Sequence, residues 1–409
     1  MKDAAALDAD DALGYLRGRF QLPADTVYLD GNSLGVLPAA VPARLAQLLR
    51  DEWGQDLISS WNRHDWIGMP VAVGEKIAGL LGAGPGQVIC CDSISVNLFK
   101  LLTTALQLRP GRTVILSEEG NFPTDLYLTQ GISDLLGTAR CSVRSVPPEE
   151  LISAMAEDVA VLMLTQVNFR DGSLHDMQAL TRAAHDRGIL VLWDLAHSAG
   201  VLPIELDAWQ VDMAVGCGYK FLNGGPGAPA FVYLASRHQN QVAQPLCGWL
   251  GHAQPFAFEP GYRPAAGVQR YLAGTPGILG MAALDTALDC FAGVSMTALR
   301  AKSLALSGYF INGLQEELHG GVLRLLTPRD ASRRGSQVAL SHPHAWGVSQ
   351  ALIAAGVIVD FREPDVVRFG FAPLYNSFSD VAYALGRLRH ILATEAYRDA
   401  RFSERPRVT

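Results

Sequence analysis

Short apolar runs alternate with helical patterns through the middle of the chain. Runs of about four to eight apolar residues between turn residues are typical of strands in a parallel sheet that is covered on both faces. The strand candidates are Thr113–Ser117, Val159–Leu164, Ile189–Trp193, Met213–Val215 and Ala230–Leu234. Residues 177–187 repeat apolar side chains at helical spacing. This alternation predicts βα units and an α/β fold with a mostly parallel sheet.

The pattern changes after about residue 285. Residues Ser295–Leu318 predict one long helix with Ser295 as its N-cap. The remaining candidates are strands at Val322–Leu326, Gln337–Leu340 and Val366–Phe371, and helices at Ala345–Ala355 and Asp380–Thr394. Strands and helices in this order indicate a smaller α+β domain.

The beginning of the chain has a pattern of its own. Residues Ala9–Arg17 predict a short helix, and Val27–Leu29 predict a strand that leads into a turn rich in Gly and Asn. A chain of 409 residues is too long for one simple core. We therefore expect an N-terminal arm over residues 1–55 that packs on the small domain, a large domain over 56–285, and the small domain over 286–409.

An acid and a lysine follow two neighbouring strand candidates. Asp194 ends the run Ile189–Trp193, and Lys220 follows Met213–Val215, 26 residues after Asp194. Open α/β sheets bind ligands at the carboxyl ends of their strands, so both side chains are expected at one rim. Pyridoxal 5′-phosphate needs such a pair, because a lysine amine bonds to its aldehyde and a carboxylate keeps its pyridine nitrogen protonated. Taken singly, Lys220 could be a solvated surface residue and Asp194 a helix N-cap.

A phosphate cradle is predicted at the start of the helical pattern over residues 98–106. Ser93, Ile94 and Ser95 precede it, and hydroxyl and free N–H groups at a helix N-terminus suit a dianion, although the serine could be an ordinary N-cap. No GxxxxGK[ST] loop occurs, which excludes a nucleoside triphosphate site of that type. Phe122, after the first strand candidate, either stacks on a pyridine ring or belongs to the core.

Arg368 lies inside the otherwise apolar run Val366–Phe371. A cation is rarely buried without a partner. Two interpretations therefore stay open. One is a structural salt bridge, and the other is bidentate binding of an amino-acid carboxylate, which guanidinium geometry suits.

Composition limits the partners of the chain. Hydrophobic residues make up 49% and charged residues 18%, which is typical of a globular protein. A net charge of −7 and a pI near 5.8 argue against nucleic acid as a partner, and the adjacent Arg333 and Arg334 are expected in a solvated loop. No apolar run reaches the length of about 18 residues that a membrane span needs.

Cysteine spacing and the chain ends bear on localisation. The six cysteines show no CxxC spacing and no apolar signal segment is seen, so free thiols in a reducing cytoplasm are expected. The charged tail from Arg398 to Thr409 is expected to be frayed.

With these residues in place, the chain resembles the kynureninase family, which consists of pyridoxal-phosphate enzymes of fold type I. The matching segments run from near Tyr28 to near Tyr375, so the resemblance covers most of the chain. They are Leu29–Gly35, Asn121–Asp125, Trp193–Ser198, Tyr219–Lys220 with Leu222–Gly227, Gly248–His252 and Arg368–Gly370. The segments around Asp194 and Lys220 mark the wider superfamily, whereas Asn121–Asp125 and Gly248–His252 are more specific.

The resemblance implies a role for each matching residue. Lys220 binds the cofactor covalently, Asp194 partners its pyridine nitrogen and Phe122 stacks on its ring. The other implied cofactor contacts are Ile94, Ser95, Asp125, Thr165, His197 and Tyr219, with Trp249 and Thr275 from the neighbouring subunit of a homodimer with composite sites. The implied substrate contacts are Arg368, which holds the carboxylate, Trp61, which flanks the aromatic ring, Ser33 and Thr275.

The implied reaction is the hydrolytic cleavage of the Cβ–Cγ bond of L-kynurenine, which gives anthranilate and L-alanine in tryptophan catabolism. Tyr219 is either the proton carrier of this reaction or a structural ligand of the phosphate. Relatives that prefer 3-hydroxykynurenine carry His and Asn where this chain has Trp61 and Thr275. The resemblance therefore favours plain L-kynurenine.

Two rival functions share these features. A cysteine desulfurase or a class V aminotransferase-like enzyme has the same fold, but a desulfurase needs a mobile cysteine after the lysine. Cys247 and Cys290 follow Lys220, and neither lies in a segment that resembles such a loop. A non-catalytic binding protein of this fold is the rival of another class, against which the set of Lys220, Asp194 and Arg368 argues.

Overall fold

The computed structural model describes residues 3–402 and 405. Strands and α-helices are numbered here in chain order. The strands are β1 Val27–Tyr28, β2 Val88–Cys90, β3 Val114–Glu118, β4 Ser142–Val146, β5 Val159–Thr165, β6 Leu190–Asp194, β7 Met213–Cys217, β8 Ala230–Leu234, β9 Arg324–Leu325, β10 Gln337–Ser341, β11 Val357–Ile358, β12 Asp360–Arg362 and β13 Val366–Gly370.

The helices connect and cover these strands. They are α1 Ala4–Ala9, α2 Val41–Gln47, α3 Ser60–Arg63, α4 Met69–Leu80, α5 Ile94–Leu108, α6 Pro123–Leu136, α7 Met177–His185, α8 Ile278–Leu288, α9 Met296–Gly313, α10 Gln315–His319, α11 Ala345–Ala354 and α12 Phe378–Ala393. A π-helical stretch, Leu48–Asp56, continues α2.

The main sheet has the strand order β2-β8-β7-β6-β5-β3-β4. Strands β4, β3, β5, β6 and β7 pair in parallel, whereas β8 is antiparallel to both β7 and β2. This arrangement confirms the predicted α/β fold with a mostly parallel sheet. All of the strand candidates in this part of the chain are present, and β2 and β4 are strands that the apolar runs did not predict.

Both faces of the main sheet are covered, as alternate residues of β6 demonstrate. Val191 and Trp193 belong to one cluster of buried apolar side chains, which includes residues of α4 and α8. Leu190 and Leu192 belong to another, which includes residues of α5 and α6. Because successive side chains of a strand point to opposite faces, helices pack on each side and the strand itself is fully buried.

A second, antiparallel sheet has the order β12-β13-β10-β9. Its apolar cluster includes residues of α9, α11 and α12, together with Val27 and Leu29 from the start of the chain. Strand β1 also pairs in parallel with β11. These contacts support the predicted division at residues 1–55, 56–285 and 286–409, which stays a prediction.

Several local expectations are wrong. The first helix is α1, and a 3-10 turn at Gly14–Arg19 replaces the rest of the helix predicted at Ala9–Arg17. The long predicted helix breaks at Leu314 between α9 and α10, although Ser295 does cap it by accepting from the Ala298 N–H at 3.3 Å.

Burial corrects two further expectations. Part of the tail predicted to be frayed lies outside the described residues, but Phe402 is buried in the second core. Arg334 is buried rather than solvated, because its guanidinium group donates to the Arg329 carbonyl and to Ser307 Oγ at 3.4 Å.

The structure bears on the cysteines and on membrane-spanning helices. All six cysteines are free thiols. Within residues 3–402 and 405, no single helix is long and apolar enough to cross a membrane. One pair, Ile278–Phe291 with Met296–Gly313, reaches the length and composition together but is bent by 85° at the break.

Candidate active site

A cavity of about 440 Å³ lies at the carboxyl ends of the central strands. Asp194 is the last residue of β6, and Lys220 follows the end of β7, so the topology brings both to this rim as the sequence predicts. The predicted cofactor contacts that line the cavity are Ile94, Ser95, Phe122, Asp125, Thr165, Asp194, His197, Tyr219 and Lys220. One concave site therefore contains most of the residues singled out from the sequence.

Lys220 is half-buried and points at His197, with 3.0 Å between its Nζ and the ring Nε2. Burial, helped by the Lys220 charge, lowers the pKa of His197 far below its usual range. The imidazole is therefore neutral, with its Nε2 within hydrogen-bonding distance of the lysine amine. Nδ1 is buried and has no hydrogen-bond partner among the described residues.

Two buried carboxylates face the same lysine. Burial raises the pKa of Asp194, and the nearby Lys220 charge and the Ala196 N–H, which donates to Oδ1 at 2.7 Å, act against this. Burial and the Asp194 carboxylate raise the pKa of Asp125 well above its usual range, although Thr165 Oγ1 donates to its Oδ2 at 3.4 Å. The other oxygen of Asp125 has no partner in the described part of the chain. The two buried carboxyl groups therefore lack enough nearby positive charge to compensate both of them when ionised.

Helix α5 starts at the wall of the cavity. Ser93 is its N-cap and accepts from the Val96 N–H at 3.4 Å, so the ordinary N-cap interpretation of this serine is correct. Ile94 and Ser95 are the first helical residues and line the cavity. N–H groups in the first turn have no acceptor within the helix, and the helix dipole adds partial positive charge there. This end of the cavity suits an anion.

Two aromatic residues flank the lysine. Lys220 Nζ lies 5.9 Å from the ring centroids of both Phe122 and Tyr219. Phe122 is 37% exposed, which argues against a plain core position, and its ring contacts Phe169 edge to face at 5.2 Å. Burial raises the pKa of Tyr219 above its usual value, so the phenol keeps its proton at neutral pH.

Arg368 forms a buried ion pair beside the cavity. Its Nε donates to Asp360 Oδ1 at 2.7 Å and its Nη2 to the other oxygen of the same carboxylate. Nη2 also donates to Ser33 Oγ at 3.2 Å, and Nη1 donates to the carbonyl of Phe169, a residue that lines the cavity. The structural salt bridge is therefore present, and binding of a substrate carboxylate stays a prediction.

The remaining predicted residues lie outside the cavity of this single chain. Trp61 packs edge to face on Trp66, with 5.7 Å between ring centroids. Trp249 is 37% exposed and contacts Phe256. Thr275 is exposed and lines a separate cavity of about 250 Å³.

Sequence reasoning missed Asp360 and Phe169. Asp360 follows the apolar residues 357–359, so an acid inside an apolar run was the signal that could have found it. Phe169 lies in a turn after β5 and gives no such signal, because its role depends on a backbone carbonyl.

Comparison with known proteins defines the family. A kynureninase of Burkholderia pseudomallei is 48% identical over 412 residues, which cover 100% of this chain and 99% of the relative. A kynureninase of Deinococcus radiodurans is 50% identical over 392 residues, 95% of each chain.

The chain belongs to the kynureninase family. The model of the kynureninase C-terminal domain also matches residues 299–388.

Solved structures with the same architecture are more distant. A cysteine desulfurase from Thermococcus onnurineus NA1 is 18% identical, with a TM-score of 0.78 over 93% of this chain and 98% of that one. A C-DES variant with glycine covalently linked to its pyridoxal phosphate cofactor is 17% identical, with a TM-score of 0.80 over 91% and 98%. These likenesses show the fold alone, which is fold type I. The chain therefore has the predicted fold.

Proposed function

We propose that this chain is a pyridoxal-phosphate enzyme that hydrolyses L-kynurenine, with water, to anthranilate and L-alanine. The observation that carries this proposal is full-length similarity to kynureninases, joined to a cavity that contains Lys220 and Asp194. Membership of the family gives the reaction, and the cavity supplies the residue types that the reaction needs.

The cavity residues fit pyridoxal phosphate. The buried carboxylates of Asp194 and Asp125 have raised pKa values, and a cationic pyridine nitrogen would compensate their charge. The unpartnered polar atoms Asp125 Oδ1 and His197 Nδ1 are available to a ligand. The N-terminus of α5 supplies N–H groups for a phosphate, and the Lys220 amine is available to an aldehyde. We assign the cofactor to Ile94, Ser95, Phe122, Asp125, Thr165, Asp194, His197, Tyr219 and Lys220.

When bound, the cofactor supplies an electron sink for bonds that break at the substrate Cα and Cβ. Lys220 Nζ holds and moves the Cα proton, and the neutral His197 ring accepts a hydrogen bond from it. Tyr219 keeps its phenolic proton at neutral pH and lines the same cavity, so it can donate that proton to a carbon or oxygen of the substrate. Asp194 provides a fixed negative charge.

The substrate is held at the other end of the cavity. Arg368 has one side of its guanidinium group fixed by Asp360 and reaches the cavity wall through the Phe169 carbonyl. We assign the α-carboxylate to Arg368, with Ser33 beside it, and the aryl ring to Trp61 and Thr275. Since neither of these provides a dedicated partner for an extra hydroxyl, kynurenine should have a higher kcat/KM than 3-hydroxykynurenine, by about a hundredfold at most.

The proposal includes a homodimer with composite sites. Trp249, Phe256 and Phe258 are large apolar side chains that are 37%, 64% and 80% exposed, and such patches mark protein–protein contacts. Trp249 and Thr275 lie outside the cavity of their own chain, which fits contribution to a second copy. The free thiols fit the reducing cytoplasm expected from the sequence, and we retain that localisation as part of the proposal.

No feature of residues 3–402 and 405 favours the desulfurase alternative. Cys290 is buried, and the pKa of its thiol is raised by burial, which disfavours a nucleophilic thiolate. Cys247 is exposed, but its Sγ donates to the Gln244 carbonyl at 3.4 Å. The desulfurases among the structural neighbours share the fold at 18–20% identity and carry no argument about substrate.

The proposal is tested by incubating the purified holoenzyme with L-kynurenine and measuring anthranilate by fluorescence and L-alanine by chromatography. We expect the two products in equal amounts, and none from the Lys220→Ala variant. Release of sulfide from L-cysteine, abolished by Cys247→Ser, would instead support a desulfurase. Inactivity on both substrates in cofactor-loaded protein would favour a non-catalytic binding protein.

A further inference from the structure

Lys100 is a fully buried lysine within α5, near the start of the helix. Its Nζ donates to Asp92 Oδ2 at 2.5 Å and to the backbone carbonyl of Tyr271. A buried ammonium is costly unless it is paired and hydrogen-bonded, so these two contacts account for its position. Lys100 does not line the cavity, and none of the roles assigned above involves it.

Its partner Asp92 does line the cavity. The Asp92 side chain is 30% exposed and lies next to Ser93, Ile94 and Ser95 on the cavity wall. Its backbone has a φ of 49°, which a residue with a side chain seldom adopts unless its surroundings fix it. The Ala230 N–H donates to the Asp92 carbonyl at 2.8 Å, so backbone and side chain are both held. A carboxylate is thus fixed beside the end of the cavity that suits an anion.

The second contact of Lys100 reaches the segment that contains Thr275, outside the candidate site of this chain. Tyr271 ends the 3-10 helix Gly267–Tyr271, and the chain then runs through Leu272–Gly277, which contains Thr275. Asp92 and this segment line the same second cavity of about 250 Å³. One ammonium group therefore ties together the turn before α5, α5 itself and the segment that contains Thr275.

We propose that Lys100 is a positioning residue that makes the start of α5 able to bind the phosphate of the cofactor. It does so by cancelling the charge of Asp92 and by fixing the turn that carries Ser93, Ile94 and Ser95. This inference rests on the proposed function, because the phosphate belongs to pyridoxal phosphate. Without the ammonium, the Asp92 carboxylate would repel a dianion over a distance at which charges inside a protein are only partly screened.

The test compares two ligands of the apoenzyme, pyridoxal 5′-phosphate and pyridoxal, which lacks the phosphate. Equilibrium dissociation constants for both are measured by absorbance titration. Lys100→Met should weaken binding of pyridoxal phosphate by about tenfold or more, because the Asp92 charge is then no longer compensated. Its affinity for pyridoxal should stay close to that of the wild type. A general structural defect would instead weaken both ligands alike.

A double variant isolates the charge. Asp92→Asn with Lys100→Met removes both charges. The dissociation constant for pyridoxal phosphate divided by that for pyridoxal should therefore return to within about threefold of its wild-type value. The matched control is Lys302→Met, because Lys302 is also buried and paired, with Asp11 at 2.7 Å, but lies in α9. This control should leave the ratio unchanged. Thermal unfolding of each apoenzyme shows whether the variants are folded.

An unchanged ratio in Lys100→Met, or an equal loss for both ligands, would overturn the inference. If Lys100→Met does not fold, the double variant decides. If the double variant has the wild-type ratio of the dissociation constant for pyridoxal phosphate to that for pyridoxal, charge cancellation is supported. If this ratio rises as strongly as predicted for the single variant, charge cancellation is contradicted. Failure of the wild-type apoenzyme to bind pyridoxal phosphate would contradict the proposed function itself, which is a distinguishable result.

Discussion

Asp30 follows β1 in a charged group that also contains Asp360, Arg362 and Arg368. Burial, followed by repulsion from the Asp360 carboxylate, raises the pKa of Asp30 to about 7, although Ser33 and the two arginines act against this. One of its oxygens has no hydrogen-bond partner among the described residues. Because an unfolded aspartate has a pKa of about 4, the native state retains this proton over a range of pH in which the unfolded chain has lost it.

This difference predicts how stability depends on pH. A raised carboxyl pKa contributes stability that is present below the unfolded pKa and is lost as the pH rises through the folded pKa, so the Asp30 contribution should fall between about pH 4 and 7. Asp30→Asn, which does not titrate, should remove that fall from the free energy of unfolding measured by denaturant titration. The exposed Asp10→Asn is the control. An identical pH dependence in Asp30→Asn and the wild type would contradict the prediction.

Asp194 carries the clearest single-residue prediction about turnover. Asp194→Asn keeps a side-chain oxygen for the Ala196 N–H but loses the charge that stabilises a protonated pyridine nitrogen. We expect the variant to bind cofactor and to lose about a hundredfold or more in kcat. Cofactor content is checked by absorbance before each assay. Near-normal turnover with full cofactor content would exclude this role.

The location of a functional residue can be predicted from sequence when its place in a strand or helix already implies its surroundings. Asp194 and Lys220 were predictable because parallel strands place their carboxyl ends at one rim. The partner of Arg368 was not assigned, although Asp360 stands directly opposite it on β12. Arg334 was wrongly expected in solvent, because its contacts with the Arg329 carbonyl and with Ser307 of α9 depend on how the loop folds back, which sequence context does not indicate.

At the scale of elements, apolar runs predicted most of the strands that are buried on both faces, but they missed the short strand β2. Strand β4 escaped prediction because its residues are mostly half-buried at the edge of the sheet and include Ser and Arg. The break after α9 at Leu314 has no proline to mark it. The local pattern of apolar residues thus predicts buried strands well, whereas edge strands and helix breaks depend on tertiary contacts.

The strand pair β12–β13 allows the structural role of Arg368 to be tested separately from its proposed role in substrate binding. Asp360 and Arg368 are direct cross-strand neighbours in these antiparallel strands. Arg368→Ala should lower kcat/KM for every amino-acid substrate, with a loss of about 2–5 kcal/mol in transition-state stabilisation. The substitution also leaves the Asp360 carboxylate buried without its partner.

The double variant Asp360→Ala with Arg368→Ala removes that unpaired charge. It should recover thermal stability relative to Arg368→Ala but not kcat/KM, if the arginine binds the substrate carboxylate. Recovery of kcat/KM along with stability would show that Arg368 is only structural.

At the scale of the whole molecule, the predicted site is divided. Nine of the predicted residues line one cavity, whereas Trp61, Trp249 and Thr275 lie elsewhere in this single chain. The sequence could indicate this division only through family resemblance, because composition and periodicity say nothing about contacts between copies. The proposed homodimer with shared sites would account for exposed aromatic side chains such as Trp249 outside this cavity.

Hybrid dimers test this arrangement. Lys220→Ala should be inactive and Trp249→Ala impaired, each when assayed alone. Mixing them under conditions of subunit exchange should restore part of the activity, because one of the two sites in a hybrid combines an intact Lys220 with an intact Trp249. Each variant, exchanged with itself, is the control. A fully active monomer in analytical sedimentation would refute the composite site.

We propose above that Lys220, at the rim of the main sheet, binds pyridoxal phosphate covalently. Reduction of the holoenzyme with borohydride, followed by trypsin digestion and mass spectrometry, tests it directly. A modified Lys220 resists trypsin, so we expect a single peptide over residues 188–237 that carries the pyridoxyl mass. A pyridoxyl label on Lys100 or another lysine, or no label in protein that retains its cofactor absorbance, would contradict it.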